Sequence, residues 1–159
     1  MSKPPNIPAP RPTLEQLQRY AAGLNESLTA RTLGMRVSFP DTEHVVVMLD
    51  VEERHRGGMG SDAVNGAIIA AAFDLALGCT PALMDPTRRS ATVQLNMRFE
   101  RALRGSALRA TAHIDRATRQ LVFASAVVAG DDGAVCGRAE GMLALSDKTW
   151  TRGDNPGVN

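Results

Sequence analysis

The chain has 159 residues, 43% of them apolar and 4% aromatic, with a formal net charge of +1. That length suits one domain with its own core, and so small a net charge excludes a global field that would recruit nucleic acid. Two cysteines, Cys79 and Cys136, supply neither a disulfide framework nor a metal-ligand spacing.

Residues 1–12 hold five prolines and read as an extended arm, with no apolar run of a secretory signal. A cytoplasmic location is the expectation. Thr13-Leu-Glu-Gln16 resembles a capping box, and Leu14, Leu17, Leu24 and Leu28 continue a helical stripe to about Ala30. Met35–Phe39 and Glu43–Val51 read as strands around the turn Pro40-Asp41-Thr42. The polar, glycine-rich stretch 52–61 reads as a loop, with His55 a solvated part of it.

Ala63–Cys79 then forms a helix, too rich in alanine and too poor in β-branched residues for a strand. Its longest apolar run, Ala67–Phe73, is too short to cross a bilayer, so no membrane is expected. Four strands follow as a meander. In Thr92–Glu100 the odd positions Val93, Leu95, Met97 and Phe99 share one face, and Thr92, Gln94, Asn96 and Arg98 the other. Ala107–Asp115, Leu121–Val128 and Val135–Leu145 complete the set, with turns at 104–105, 116–119 and 131–133. The domain runs from 13 to 146, and 147–159 reads as a loose tail. One apolar helix among antiparallel strands is an α+β layout. A helix apolar nearly all round should be enclosed, and a curved sheet wrapped around it satisfies this.

Asp74 lies inside that helix. A carboxylate buried without a partner is costly, which makes Asp74 a candidate for chemistry. Eight arginines (88, 89, 98, 101, 104, 109, 116 and 119) stand against Asp85, Glu100 and Asp115 between 85 and 119. They form either solvated strand faces or a local basic surface for a phosphorylated small molecule.

Asn65-Gly66-Ala67 followed by Asp74-Leu-Ala-Leu-Gly78, the strand and corner Thr92–Gly105, and the closing stretch Asp132–Gly141 together resemble hotdog-fold acyl-CoA thioesterases of the phenylacetic-acid-degradation (PaaI-like) type. The resemblance covers about 34–146. It departs where the family's motif His is Asn65, its second Gly is Ala67, a frequent Asn is Met59 and the corner Pro is Ala102. It implies a curved antiparallel sheet around one central helix, with an N-terminal helix in addition. It also implies hydrolysis of an acyl-CoA thioester, with Asp74 as general base or nucleophile and the helix N-terminus, Gly66 and Ala67, as oxyanion site. Asn65 would cap the helix or touch the substrate carbonyl region, and Thr92 would help hold the attacking water or serve as an ordinary strand residue. Arg101 and Arg104 would meet the nucleotide end of CoA, while Gly58, Met59 and Phe73 would lie along the substrate. The resemblance further implies a homodimer with the active site at the subunit interface, a homotetramer being a further step left open. No cofactor and no metal enter, CoA being part of the substrate. A non-catalytic hotdog domain that binds acyl-CoA or a related small ligand is the alternative.

Overall fold

The computed structural model describes residues 10–150. Most of the expected arm, and the tail from 151 onward, lie outside the described residues.

Helix α1 spans Leu14–Asn25 and opens on the expected capping box: Thr13 Oγ1 accepts the Gln16 N–H at 3.3 Å, and Gln16 Oε1 accepts the Thr13 N–H at 2.8 Å. The helix does not continue to Ala30. Ser27 leaves helical geometry and caps a second helix, α2 (Leu28–Leu33), by accepting the Ala30 N–H at 3.3 Å. Gly34 ends α2 in the left-handed region, at φ 71°.

The strands are β1 (Met35–Ser38), β2 (His44–Asp50), β3 (Arg56–Gly58), β4 (Ser61–Val64), β5 (Arg88–Phe99), β6 (Ala107–Ala117), β7 (Leu121–Ala129) and β8 (Val135–Thr149), with α3 (Gly66–Gly78) between β4 and β5. Six of them form one antiparallel sheet ordered β1-β2-β6-β7-β8-β5, while β3 and β4 make a separate hairpin. The expected meander therefore holds only for β6, β7 and β8. β5 lies along β8 at the far edge, so 104–105 belongs to a crossover, not a hairpin turn. That crossover is pinned by Leu103, which is wholly buried and whose carbonyl accepts the Val64 N–H at 2.9 Å. Two further expectations are revised. The stretch 52–61 contains a 3-10 turn (Glu53–His55) and part of the β3–β4 hairpin, and β8 runs through Thr149 into the expected tail.

The sheet curls as a half-barrel around α3. Ile69, Ala72, Phe73, Ala76 and Leu77 are buried against it, facing apolar residues such as Val45, Leu108, Val122, Val128 and Leu143. Burying Phe73 and Leu77 fully contributes roughly 1.5–3 kcal/mol each. Gly137 is required where β8 lies against β5. A Cβ there would stand 2.8 Å from the Arg98 carbonyl oxygen and 3.3 Å from the Val128 side chain.

The opposite flank of α3 is open. Gly66, Ala67 and Asp74 are exposed, and Ala70, Ala71, Leu75 and Gly78 are half-buried. The helix is thus not enclosed within one chain as expected, because the sheet wraps one side only. The 18-residue stretch Gly66–Leu83, mean hydropathy 1.7, is long and apolar enough to cross a membrane by composition, yet 56% of it is buried inside this fold.

Candidate functional site

Asp74 sits on the open flank of α3, exposed rather than buried. The Thr92 hydroxyl donates to its Oδ1 at 2.8 Å. Oδ2 has no hydrogen-bond partner among the described residues.

Thr92 reaches Asp74 because of a bulge in β5. Thr92 stands opposite Leu143 and Gln94 opposite Met142, so Val93 is an extra residue on its strand. Beyond the bulge, Leu95, Met97 and Phe99 pair with Gly141, Ala139 and Gly137 and face α3. Strict alternation would have turned Thr92 to the other face along with Gln94 and Asn96. The expected pattern is therefore broken at Val93, which is left 55% exposed at the sheet edge.

At the other end of the flank, Asn65 is the N-cap of α3. Its Oδ1 accepts the Ala67 N–H at 2.9 Å, and its carbonyl accepts the Ile68 and Ile69 N–H groups at 2.9 and 3.2 Å. The Ala67 N–H, the expected oxyanion donor, is thus occupied by the cap. The Gly66 N–H, first in the helix, has no carbonyl a turn earlier to bond. Asn65→Ala should release the Ala67 N–H and cost about 1 kcal/mol of stability, which urea unfolding at unchanged m-value would measure. Gly66 and Asp74 are eight residues apart, about 12 Å along the axis at the helical rise. One chain therefore cannot bring its own helix N-terminus and its own Asp74 to the same carbonyl.

The remaining expected residues are spread around this flank. Gly58 and Met59 form the tip of the β3–β4 hairpin, where Gly58, Met59 and Gly60 have φ of 76°, 50° and 77°. Met59 is fully exposed there. Arg101 pairs with Asp132 at 3.1 Å and Arg104 with Asp62 at 2.8 Å. With Ala102, Gly130 and Cys136 they line a depression of about 340 Å³. The Arg104 guanidinium holds the Asp62 carboxyl below the usual carboxylate range. Both ion pairs are exposed and can be exchanged cheaply for another anion. Phe73 does not join the site. It is wholly buried on the sheet side of α3. His55 is likewise buried, not solvated, and its Nδ1 accepts the Glu52 N–H at 2.9 Å.

Sequence reasoning passed over Phe99. It is 54% exposed, and its ring carbon Cζ lies 3.6 Å from where a Cβ on Gly66 would stand. Its signal is its place as the aromatic that opens the corner after β5. A larger depression, about 460 Å³, lies on the other face of the sheet among His44, His113, Ser125, Glu140 and Arg98. It contains neither Asp74 nor Thr92, so size and chemistry point to different faces, and the chemistry is the better guide. Among the described residues no cluster of three His, Cys, Asp or Glu could hold a metal.

Behind the site, burial pushes the Cys79 thiol from 9.0 up to about 12, with Asp74 adding to the rise. Burial raises the Tyr20 phenol too, with Cys79 as a further cause. Both folded-state values lie above the unfolded ones, so their contribution to stability is complete below about pH 9. It is lost as the pH rises toward 12. Thermal melts between pH 8 and pH 11 should therefore fall steadily on the alkaline side.

Comparison with known proteins bears on this arrangement. The family model described as Thioesterase superfamily matches residues 62–137, which hold α3, Asp74, β5 and the corner after it. That match spans just under half of the chain, and the fold as a whole is of the hotdog type. Solved structures agree on the fold. A mutant thioesterase from Pseudomonas aeruginosa is 19% identical, with 86% of this chain and 96% of that one covered and a TM-score of 0.71. The PaaI protein of the E. coli phenylacetic acid degradation operon is 17% identical, with 85% and 99% covered and a TM-score of 0.72. A thioesterase from Haemophilus influenzae is 15% identical, with 86% and 92% covered and a TM-score of 0.72. No curated protein matches the sequence.

Proposed function

We propose that this protein belongs to the thioesterase superfamily, which its residues 62–137 resemble, and that it hydrolyses an acyl-CoA thioester to the free acid and CoA. The observation that carries the reading is Asp74: an exposed carboxylate on an apolar helix, with one oxygen held by Thr92 and the other open to a water. Water adds to the thioester carbonyl and the carbon–sulfur bond breaks. The water's proton passes to Asp74 acting as general base, and the departing sulfur leaves as the CoA thiol. If Asp74 instead attacks the carbonyl, the carbon–sulfur bond breaks to give a mixed anhydride and CoA thiolate, which takes a proton from water, and a further water hydrolyses the anhydride to the free acid and the Asp74 carboxylate. Thr92 orients the carboxylate in either case. The oxyanion falls to the positive end of α3, through the Gly66 N–H or through the Ala67 N–H once the Asn65 side chain swings aside.

The 12 Å between Gly66 and Asp74 on one helix supports a homodimer in which each site joins the N-terminus of one α3 to the Asp74 of the other. The exposed Val93 and the unpaired outer edge of β5 support the same pairing, since a long bare edge strand recruits another strand. Arg101 and Arg104 would release Asp132 and Asp62 to take CoA phosphates. The reading needs no cofactor and no metal, and a cytoplasmic location belongs to it.

One observation favours a non-catalytic acyl-CoA binding domain instead: the capped Ala67 N–H leaves the oxyanion site partly closed. The two readings separate in one experiment. The purified protein is offered short, medium and aromatic acyl-CoAs, and free CoA thiol is followed with a thiol-reactive chromophore. Turnover supports hydrolysis. A melting temperature raised by CoA esters, with no thiol released from any of them, would establish the binding domain and end the hydrolase reading.

A further inference from the structure

We infer that Phe99 decides which acyl groups the site accepts; the inference rests on the hydrolase reading above. Residues Gly66, Ala70, Asp74 and Gly78 follow one another at helical spacing, so they form one row along α3. β5 runs beside this row. Thr92 reaches Asp74, and the Phe99 ring lies beside Gly66, with Cζ and Cε1 at 3.6 and 3.8 Å from the position of an added Cβ. The helix brings to this row only one methyl group, one carboxylate and two glycines. The bulk at the N-terminal end of the row therefore comes from the strand, in the form of the Phe99 ring.

That ring is held from behind. Phe99 stands opposite Gly137, which cannot be enlarged without striking the Arg98 carbonyl and crowding Val128, so β5 and β8 lie in close contact beneath Phe99. In front the ring is 54% exposed, a large apolar surface next to the Gly66 N–H at the start of α3. A thioester whose carbonyl reaches that N–H must place its acyl group alongside the ring. Phe99 then acts as a wall: short acyl groups fit beside it, and branched or ring-bearing ones meet it. Discrimination by pocket bulk of this kind amounts to roughly 10–200-fold.

The test compares wild type with Phe99→Ala, Phe99→Leu and Phe99→Trp on acetyl-CoA, isobutyryl-CoA and benzoyl-CoA, with kcat and KM separated and melting temperatures recorded. Phe99→Ala should raise the ratio of kcat/KM for benzoyl-CoA over acetyl-CoA about tenfold, Phe99→Leu should raise it less, and Phe99→Trp should lower it. Should Phe99→Ala fail to fold, the Leu and Trp variants carry the same opposed expectations. A ratio that stays constant while all three substrates change together would mean that Phe99 serves only the fold, and would overturn the inference while leaving hydrolysis standing. A wild-type protein that turns over none of the three overturns both.

Discussion

Replacing Asp74 by Ala or Asn is expected to lower kcat by roughly 10²–10⁴-fold, the usual contribution of a positioned acid or base, while the fold survives. Asp74 is exposed, and among the described residues its hydrogen-bond partner is the Thr92 hydroxyl. Its loss should therefore cost at most about 1 kcal/mol of stability, the worth of one hydrogen bond. Activity and stability are thus expected to separate, and paired measurements of kcat and urea unfolding would show it. Turnover unchanged in both variants would remove Asp74 from the mechanism. A protein destabilised in proportion to its lost activity would assign Asp74 a structural role instead. Thr92→Val should lie between, since it removes the hydroxyl that orients the carboxylate and keeps the β-branched shape.

Phe73→Ala should do the reverse. Phe73 is wholly buried between α3 and the sheet, and truncating such a side chain costs about 3–5 kcal/mol in transfer and cavity terms. For a chain of this size that lowers the melting temperature by roughly 6–20 °C. KM for any substrate should stay near the wild-type value under conditions where the variant is folded. A KM that rises sharply without loss of stability would return Phe73 to the substrate pocket. The two variants one residue apart on α3, at 73 and 74, thus report separately on the two sides of the same helix.

Local features were legible in the sequence. The capping box at Thr13, the alanine-rich α3, the cap at Asn65 and the hairpins joining β6, β7 and β8 all rest on residues within a few positions of one another. The non-local features were not. β5 shows strand character, but its pairing with β8, some 45 residues later, leaves no mark in its own residues. The bulge was hidden because Val93 is apolar and continues the odd-numbered series Val93, Leu95, Met97 and Phe99 without interruption. The open flank of α3 was hidden for a different reason. Apolar and small residues are the same whether a chain covers them itself or leaves them bare, so Ala67 and Ala71 gave no warning that the sheet stops short of them. Asp74 drew attention as a carboxylate among alanines, and that oddity proved to be a matter of facing, since its side of the helix is the uncovered one.

The extra residue at Val93 lets one strand offer both even- and odd-numbered side chains to the same helix: Thr92 before the bulge, and Leu95, Met97 and Phe99 after it. Removing Val93 alone would set Thr92 directly beside Gln94, with Leu143 and Met142 still opposite them, and regular alternation would keep Thr92 turned toward Asp74. What such a deletion would erase is the bare valine at the sheet edge, not the contact between strand and helix. The residue that interrupts the ladder is therefore spare to the carboxylate's hydrogen bond, and its exposed side chain is free to serve whatever meets that edge.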